Sequence, residues 1–392
     1  MMKNVGTISI GVRAPIIRKG DDLVTIVTDS VVKAAEEMKL GFCEKDVIAV
    51  TEAVVARCQG NYATTEQIAK DVKNKTGGDT VGVLFPILSR NRFSMLLQGI
   101  SRGCKKVIIQ LSYPGDEVGN PLIDISAVDN ANVDPYRDSF TESEFVAKFG
   151  KPLHPFTQVN YIDFYKSICP NCEIVISNRP DYILNYTKTV IVCDIHKRAR
   201  TKAQLIRAGA QKVLALDELM TSSVDGSGYN EKYGVLGSNL ATETSVKLFP
   251  RDAESFVEKL EKSLYEKTGT RLQVMVYGDG AFKDPVGGIW ELADPVVSPA
   301  HSKSLIGSPN ELKLKYIADT DLKDCAKGEA EEKMKEMIRR KGDTMGQMCG
   351  QGTTPRSLTD LLGSLCDLTS GSGDKGTPII WIKGYFDNYS ND

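Results

Sequence analysis

The feature that most constrains this chain is a change of texture at about residue 79. From there, apolar runs of strand length alternate with helical patterns. The runs are 80–85, 106–111, 173–177, 189–194 and 212–216, and helix candidates lie between them at 91–102, 142–149, 160–168, 180–186 and 200–208. Runs that stay apolar throughout belong to strands buried on both faces, and strands separated by helices run parallel. Residues 79–218 therefore read as one α/β domain. Its stretch 112–140, rich in Asp, Asn, Pro and Gly, reads as a long functional or mobile loop.

The flanks follow a different order. Val5–Val12 is strand-like, and Arg18-Lys19-Gly20-Asp21-Asp22 is a polar turn. Asp22 opens a helix with Leu23, Ile26, Val27, Val31 and Ala34 at helical spacing. Residues 46–50 form an apolar strand, and Thr64 or Thr65 caps the next helix. Past Thr221 the chain turns Gly/Ser-rich. It is then helical at 252–268, extended at 272–277, helical at 328–341 and 357–369, and extended at 378–383. With 392 residues, two or three domains are expected, laid out as 1–78, 79–218 and 219–392.

Composition excludes several classes. Lys and Arg number 49 against 51 Asp and Glu, so no basic excess exists to hold a phosphate backbone, and no nucleic-acid partner is expected. No apolar run is long enough to span a membrane. Met1–Arg18 lacks the apolar core of a secretory leader. The nine cysteines, an odd number, read as reduced thiols of a cytoplasmic protein. Cys169 and Cys172 form a lone CxxC without the further ligands zinc needs. Three scattered histidines, His154, His196 and His301, make no metal centre, so carboxylates with a hard cation such as Mg²⁺ or Mn²⁺ are the expected alternative.

Chemistry concentrates in loops. Ser222–Asn230 combines glycines, hydroxyls and Asp225, a composition that suits a phosphate with its metal or a plain turn. Tyr277-Gly278-Asp279-Gly280 follows an apolar strand, where a carboxylate lines a ligand crevice or caps a turn. Thr369–Thr377 is Gly-rich but lacks P-loop spacing. Thr51, Glu52 and Arg57 follow the strand at 46–50, and a guanidinium there suits phosphate or lies on a solvated face. In the α/β domain, Asp194 and His196 follow one strand as ligand groups or a helix cap. Ser89-Arg90-Asn91-Arg92 follows another strand.

Taken in order, the flanking segments resemble the gamma-glutamyl ligases that build the glutamate tail of the deazaflavin coenzyme F(420). Gly11–Leu23 is similar to their "G-(I/L)-P-x-(I/V)-x-x-G-D-D-L" element, and Asp46–Gly60 to "D-V-(V/I)-x-V-(T/S)-(S/T)-K-(I/V)-V-S-K-A-E-G". Ser223-Val224-Asp225-Gly226-Ser227-Gly228 and Lys247–Ser255 resemble "G-V-D-x-S-N" and "L-L-P-x-D-P-D-x-x-A". Val276–Pro285 resembles "V-T-D-T-x-G-R-P", and Gly373–Gly384 the C-terminal Gly-rich turn and strand. Glu52, Ala53 and Gly280 depart from the family's hydroxyl residues.

The resemblance implies a discontinuous ligase-like domain of mixed α/β and α+β character, with 79–218 as an inserted Rossmann-like parallel-sheet domain. It implies a GTP- or ATP-dependent ligase that joins L-glutamate to a small carboxylate acceptor through an acyl phosphate. Asp225 and Asp279 would hold Mg²⁺ or Mn²⁺, and Lys283 would act beside them. Pro15, Ile16, Ile17, Thr51, Glu52, Arg57, Ser227, Gly371, Gly373 and Lys375 would form the nucleotide site. A homodimer is implied. Two alternatives stay open: a ligase acting on a folate-like or cell-wall acceptor, and a non-catalytic nucleotide- or metabolite-binding regulator.

Overall fold

The structure is a computed structural model that describes residues 4–154, 157–278, 297–351, 357–370 and 374–390, with the backbone alone at 281–283 and 290–292. The chain begins β1 (Ile8–Val12), α1 (Leu23–Met38), β2 (Val47–Thr51), α2 (Glu52–Gln59), β3 (Tyr62–Thr64), α3 (Thr65–Thr76). It continues β4 (Thr80–Leu84), α4 (Phe93–Gly103), β5 (Lys106–Leu111), α5 (Ile125–Asn130), β6 (Ser139–Thr141), α6 (Glu142–Phe149), α7 (Tyr161–Ile168), β7 (Cys172–Ser177). Then come β8 (Thr189–Val192), α8 (Arg198–Arg207), β9 (Lys212–Ala215), β10 (Asn239–Thr242), β11 (Ser245–Lys247), α9 (Ala253–Thr268) and β12 (Gln273–Tyr277). The last part is β13 (Ala281–Lys283), β14 (Trp290–Leu292), β15 (Ala300–His301), α10 (Leu314–Asp319), α11 (Lys327–Arg340), α12 (Leu358–Ser370) and β16 (Ile379–Lys383).

One sheet has five strands in the order β1-β16-β2-β12-β15. β2 and β12 are parallel, with Thr51 opposite Tyr277 at their carboxyl ends. β16 runs antiparallel to both β1 and β2. Helices α1 and α9 cover one face, packing Val27, Val31, Leu260 and Leu264 against Ile48, Val50, Val274 and Trp381. Helix α12 covers the other, with Leu362 and Cys366 on Val47, Ala49, Met275 and Ile380. Both faces are buried, which is why β2 and β12 read as continuous apolar runs.

The second sheet has six strands in the order β6-β7-β5-β4-β8-β9. All are parallel except the edge strand β6. The chain starts at β4, moves outward to β5 and β7, and then crosses back to β8 and β9. That is a doubly wound order with a switch point between β4 and β8. The expected α/β class is observed, and the five-stranded sheet is discontinuous, built from 8–51 and 273–383 around the six-stranded one. We propose 78/79 and 218/219, where the chain enters and leaves the parallel sheet, as the domain limits. Packing carries across them. Ile68 and Val72 of α3, together with Leu219, Leu236 and Leu248, join the parallel sheet's core. Gly99 and Gly103 allow that approach: a Cβ at either would lie 2.5 Å from Ile68 or Ala69.

Several local differences from the sequence reading concern short elements. The stretch 112–140, read as one long loop, carries helix α5 and the start of edge strand β6. Residues 52–59, read only as a segment leaving the strand, form helix α2, with Thr51 as its N-cap and Gly60 as its left-handed C-cap. Residues 180–185 form a 3₁₀ turn rather than an α-helix. Among the described residues, no helix is long and apolar enough to cross a membrane, and all nine cysteines are free.

Candidate functional site

The site is built at the carboxyl edge of the five-stranded sheet. β1 and β2 end there and β16 begins there, so three segments distant in sequence meet. The Thr51 N–H donates to the Pro378 carbonyl at 3.0 Å, and the Ala14 N–H to the Gly376 carbonyl at 3.4 Å. The Arg57 Nε on α2 donates to the Ile17 carbonyl at 2.7 Å. Pro15 and Ile16 are exposed on this rim, while Ile17 is buried and anchors it. Lys375 is exposed beside them, as are Arg13 and Arg57. The structure thus brings the segments of Pro15, Ile16, Ile17, Thr51, Arg57 and Lys375 to one sheet edge.

Polar residues of the 17–22 turn serve the scaffold. Asp21 accepts from the Arg18 N–H at 2.6 Å, and Asp22 caps α1 by accepting from the Thr25 N–H at 3.1 Å. Both carboxylates are held in place by these local hydrogen bonds and keep their charge. Hydrogen bonds from Thr25, side chain first and then backbone, hold the Asp22 carboxyl below the ordinary aspartate range.

Glu52 occupies a different environment from the rim residues. It is 7 % exposed and forms an ion pair with Lys247 of β11, itself 9 % exposed. The carboxylate that departs from the family pattern is therefore matched by a buried cation contributed from the 245–247 strand. The pair ties α2 to the β10–β11–β3 sheet.

Asp225 and Ser227 lie away from the rim, in a loop packed on β3 and α3. Lys70 Nζ donates to both Asp225 oxygens, at 2.6 and 2.7 Å, and Gln67 donates to the Asp225 carbonyl at 3.2 Å. The Ser227 hydroxyl donates to the Gly228 carbonyl at 2.7 Å and accepts from the Val224 N–H at 2.9 Å. Gly228 must be glycine here, since a Cβ would sit 2.4 Å from the Asn61 side-chain oxygen. Buried Asn61 in turn holds the loop through the Tyr229 N–H at 3.0 Å and the Phe249 carbonyl at 2.6 Å. Asp279, Gly371 and Gly373 lie outside the described residues, and Lys283 is described by its backbone alone.

Residues 223–228 read Ser-Val-Asp-Gly-Ser-Gly, whereas the full spacing Gly-Val-x-x-Ser-Asn occurs at Gly234–Asn239, directly before the β10–β11 hairpin that leads to Lys247 and Pro250. The sequence reading did not weigh this register. Its signal was the short distance to the Leu-Phe-Pro segment. The two glycines are required by the fold: Gly234 and Gly237 have φ of 53° and 71°, and a Cβ at Gly237 would sit 2.4 Å from the Phe249 ring. In this register Leu236, 2 % exposed, stands where the motif has Asp.

A metal therefore has little to bind among the described residues. Asp225 is engaged by Lys70, and no group of three or more His, Cys, Asp or Glu there could hold an ion. The described donor set does not fit a divalent cation. The rim at the sheet's carboxyl edge carries the exposed cations Arg13, Arg57 and Lys375, with the exposed carboxylate of Asp374 beside Lys375. His154, His196 and His301 make no centre either. His154 accepts from the Thr157 N–H at 3.1 Å, His196 is exposed, and the His301 ring lies 3.0 Å from the Ser302 carbonyl.

At the carboxyl edge of the six-stranded sheet, Asp194 acts partly as a structural residue. Its Oδ2 accepts from the Thr201 hydroxyl on α8 at 2.7 Å. Burial first, and then nearby Glu117, pushes its carboxyl up to about 6. Ser89 accepts from the Arg92 N–H at 3.1 Å, and Arg90 is exposed.

Fold and edge together define an α/β protein with exposed Arg13, Arg57 and Lys375 at the carboxyl edge of its discontinuous sheet. Residues 11–384 match the family described as F420-0:Gamma-glutamyl ligase, and the chain belongs to that family. The family is one of ligases that attach glutamate, which makes the chain an enzyme of amide-bond formation acting on small molecules. A search of curated proteins finds no match.

Proposed function

We propose that the protein is a nucleotide-dependent ligase that joins an amino acid, L-glutamate, to a carboxylate acceptor through an acyl phosphate. The observation that carries this reading is the convergence of 14–17, 51–57 and 374–378 on one basic sheet edge, in a chain of this family. GTP or ATP supplies the phosphoryl group that activates the acceptor. Arg57 and Lys375 neutralise phosphate charge, and Arg57 at the same time fixes the Ile17 backbone that frames the rim. The acceptor carboxylate takes the phosphoryl group, and the amine then displaces phosphate and loses a proton. Positioning and charge neutralisation do most of the work in such transfers, so no protein nucleophile is required. The proposal places Mg²⁺ or Mn²⁺ at Asp225 and Asp279 only if Asp225 leaves Lys70, and no step here depends on it. Cytoplasmic residence and a homodimer belong to the same reading.

A second reading is favoured by two observations: Asp225 is engaged by Lys70, and Leu236 occupies the alternative motif position. On that reading the chain is a nucleotide- or metabolite-binding regulator. Phosphate release from GTP and ATP, with and without L-glutamate and across an acceptor panel, separates the two. Glutamate-dependent release supports the ligase. Nucleotide binding without release under every acceptor supports the regulator.

A further inference from the structure

A second concavity opens at the same end of the five-stranded sheet. Helix α9 runs back into β12, so its N-terminus lies near the carboxyl end of that strand. Pro299 precedes β15, whose Ala300 pairs with Val276 of β12, which puts it at this end too. The first turn of α9, Pro299 and the 229–233 loop enclose a cavity of about 190 Å³. That is smaller than the roughly 300–1,000 Å³ of pockets that enclose large ligands. It suits a single amino acid and not a nucleotide.

The lining carries both signs of charge. The Arg251 guanidinium lies 4.8 Å over the Tyr229 ring, and the Lys232 ammonium lies 5.0 Å from the Tyr233 ring. Aromatic faces steer these cations without using carboxylates, and among the described residues neither forms an ion pair. The backbone of Arg251 is clamped on both sides by Gln59, which accepts from its N–H at 2.7 Å and donates to its carbonyl. Opposite charges stand next to it. Asp252, Glu254 and Glu231 line the cavity and are exposed. Asp252 takes a left-handed backbone, φ 48°, and its side chain caps no helical N–H. Its carboxylate is therefore left for another partner.

We infer that this cavity is the subsite for the amino-acid substrate, bound as a zwitterion. Carboxylate oxygens face Arg251 and Lys232, and the ammonium faces Asp252 and Glu254. The inference rests on the ligase reading and locates one of its substrates. With both signs of charge in the lining, a ligand that carries carboxylate and ammonium groups finds a partner for each, which a simple anion or a simple cation does not.

The test is direct binding of L-glutamate to the full chain by calorimetry, beside GTP binding and glutamate-dependent phosphate release. Arg251→Met should weaken L-glutamate by about tenfold or more, the loss expected for a charged hydrogen bond, while GTP affinity stays within about twofold. Arg251→Lys, which keeps the charge, should lose less. N-acetyl-L-glutamate, which lacks the ammonium, should bind the wild type at least about tenfold more weakly than L-glutamate. Unchanged L-glutamate affinity in Arg251→Met overturns the assignment, as does equal binding of the acetylated compound. The two readings fail separately. Arg251-dependent binding without phosphate release keeps the subsite and removes the ligase. Glutamate-dependent release with KM unmoved in Arg251→Met keeps the ligase and removes the subsite.

Discussion

At the scale of single residues, the buried charges make the firmest predictions. Asp194 is 3 % exposed, its Oδ1 has no hydrogen-bond partner among the described residues, and its carboxyl is raised to about 6 from an ordinary value of 3.8. Folding therefore favours the protonated form. Stability should fall as pH climbs from about 4 to about 6, by roughly 3 kcal/mol in total, and level off above that. Asp194→Asn keeps an acceptor for Thr201 and removes the titration. Urea midpoints at pH 5 and pH 8 should differ less in the variant than in the wild type. An unchanged difference would assign the effect elsewhere.

Glu52 and Lys247 give the second prediction. Lys247→Met removes the cation paired with a buried carboxylate and should cost roughly 3 kcal/mol, while adding Glu52→Gln should recover most of it. Denaturant unfolding of the two single variants and the double variant checks this. If the double variant is as unstable as Lys247→Met alone, the pair is not the cause. This pairing was illegible in the sequence because its partners lie 195 positions apart. The caps at Asp22 and Thr64 were legible because their partners lie within three positions.

At the scale of elements, the inner strands β2, β12 and β16 of one sheet and β4, β5, β7 and β8 of the other could be read because they are short, apolar and largely buried, whereas the edge strands β6 and β15 were too short to show. Lys106–Leu111 and Glu142–Phe149 form as the pattern indicates. What escaped was of two kinds. Helix α2 has only eight residues with mixed polarity, and its burial comes from tertiary contacts rather than a clean stripe. Strands β3, β10 and β11 have three or four residues, too few for a period to show. The glycines around this small sheet differ in a testable way. Gly237 and Gly226 both have positive φ, 71° and 76°, but only at Gly237 would a Cβ collide, with the Phe249 ring. Gly226→Ala should cost about 1 kcal/mol from backbone strain, and Gly237→Ala clearly more. Thermal melts of the two variants settle the order, and equal losses would contradict the packing argument.

At the scale of the whole molecule, a parallel doubly wound sheet interrupts a second sheet, and the interruption leaves the second sheet's carboxyl edge intact. The alternation of apolar runs revealed the parallel sheet, and the order of degenerate motifs revealed that the flanks belong together. Residues 15–17 and 375 were singled out by the family resemblance and 51–57 by the strand before them, and they meet because each follows or precedes a strand of the same sheet. The placement of Asp225 against Lys70 was not, since a Gly/Ser-rich loop carries no periodicity to say which way it folds. The same holds for Arg251 over Tyr229, a contact created only when two loops meet.

The central claim is that the basic rim handles the phosphates of a ligase reaction, and Arg57 tests it most directly. Phosphate release from GTP and ATP, with saturating L-glutamate and acceptor, should be measured for the wild type, Arg57→Lys and Arg57→Ala. The account predicts glutamate-dependent release in the wild type, with kcat/KM for the nucleotide reduced at least about a hundredfold in Arg57→Ala and less in Arg57→Lys. Release that ignores glutamate, or that proceeds unchanged in Arg57→Ala, would contradict it.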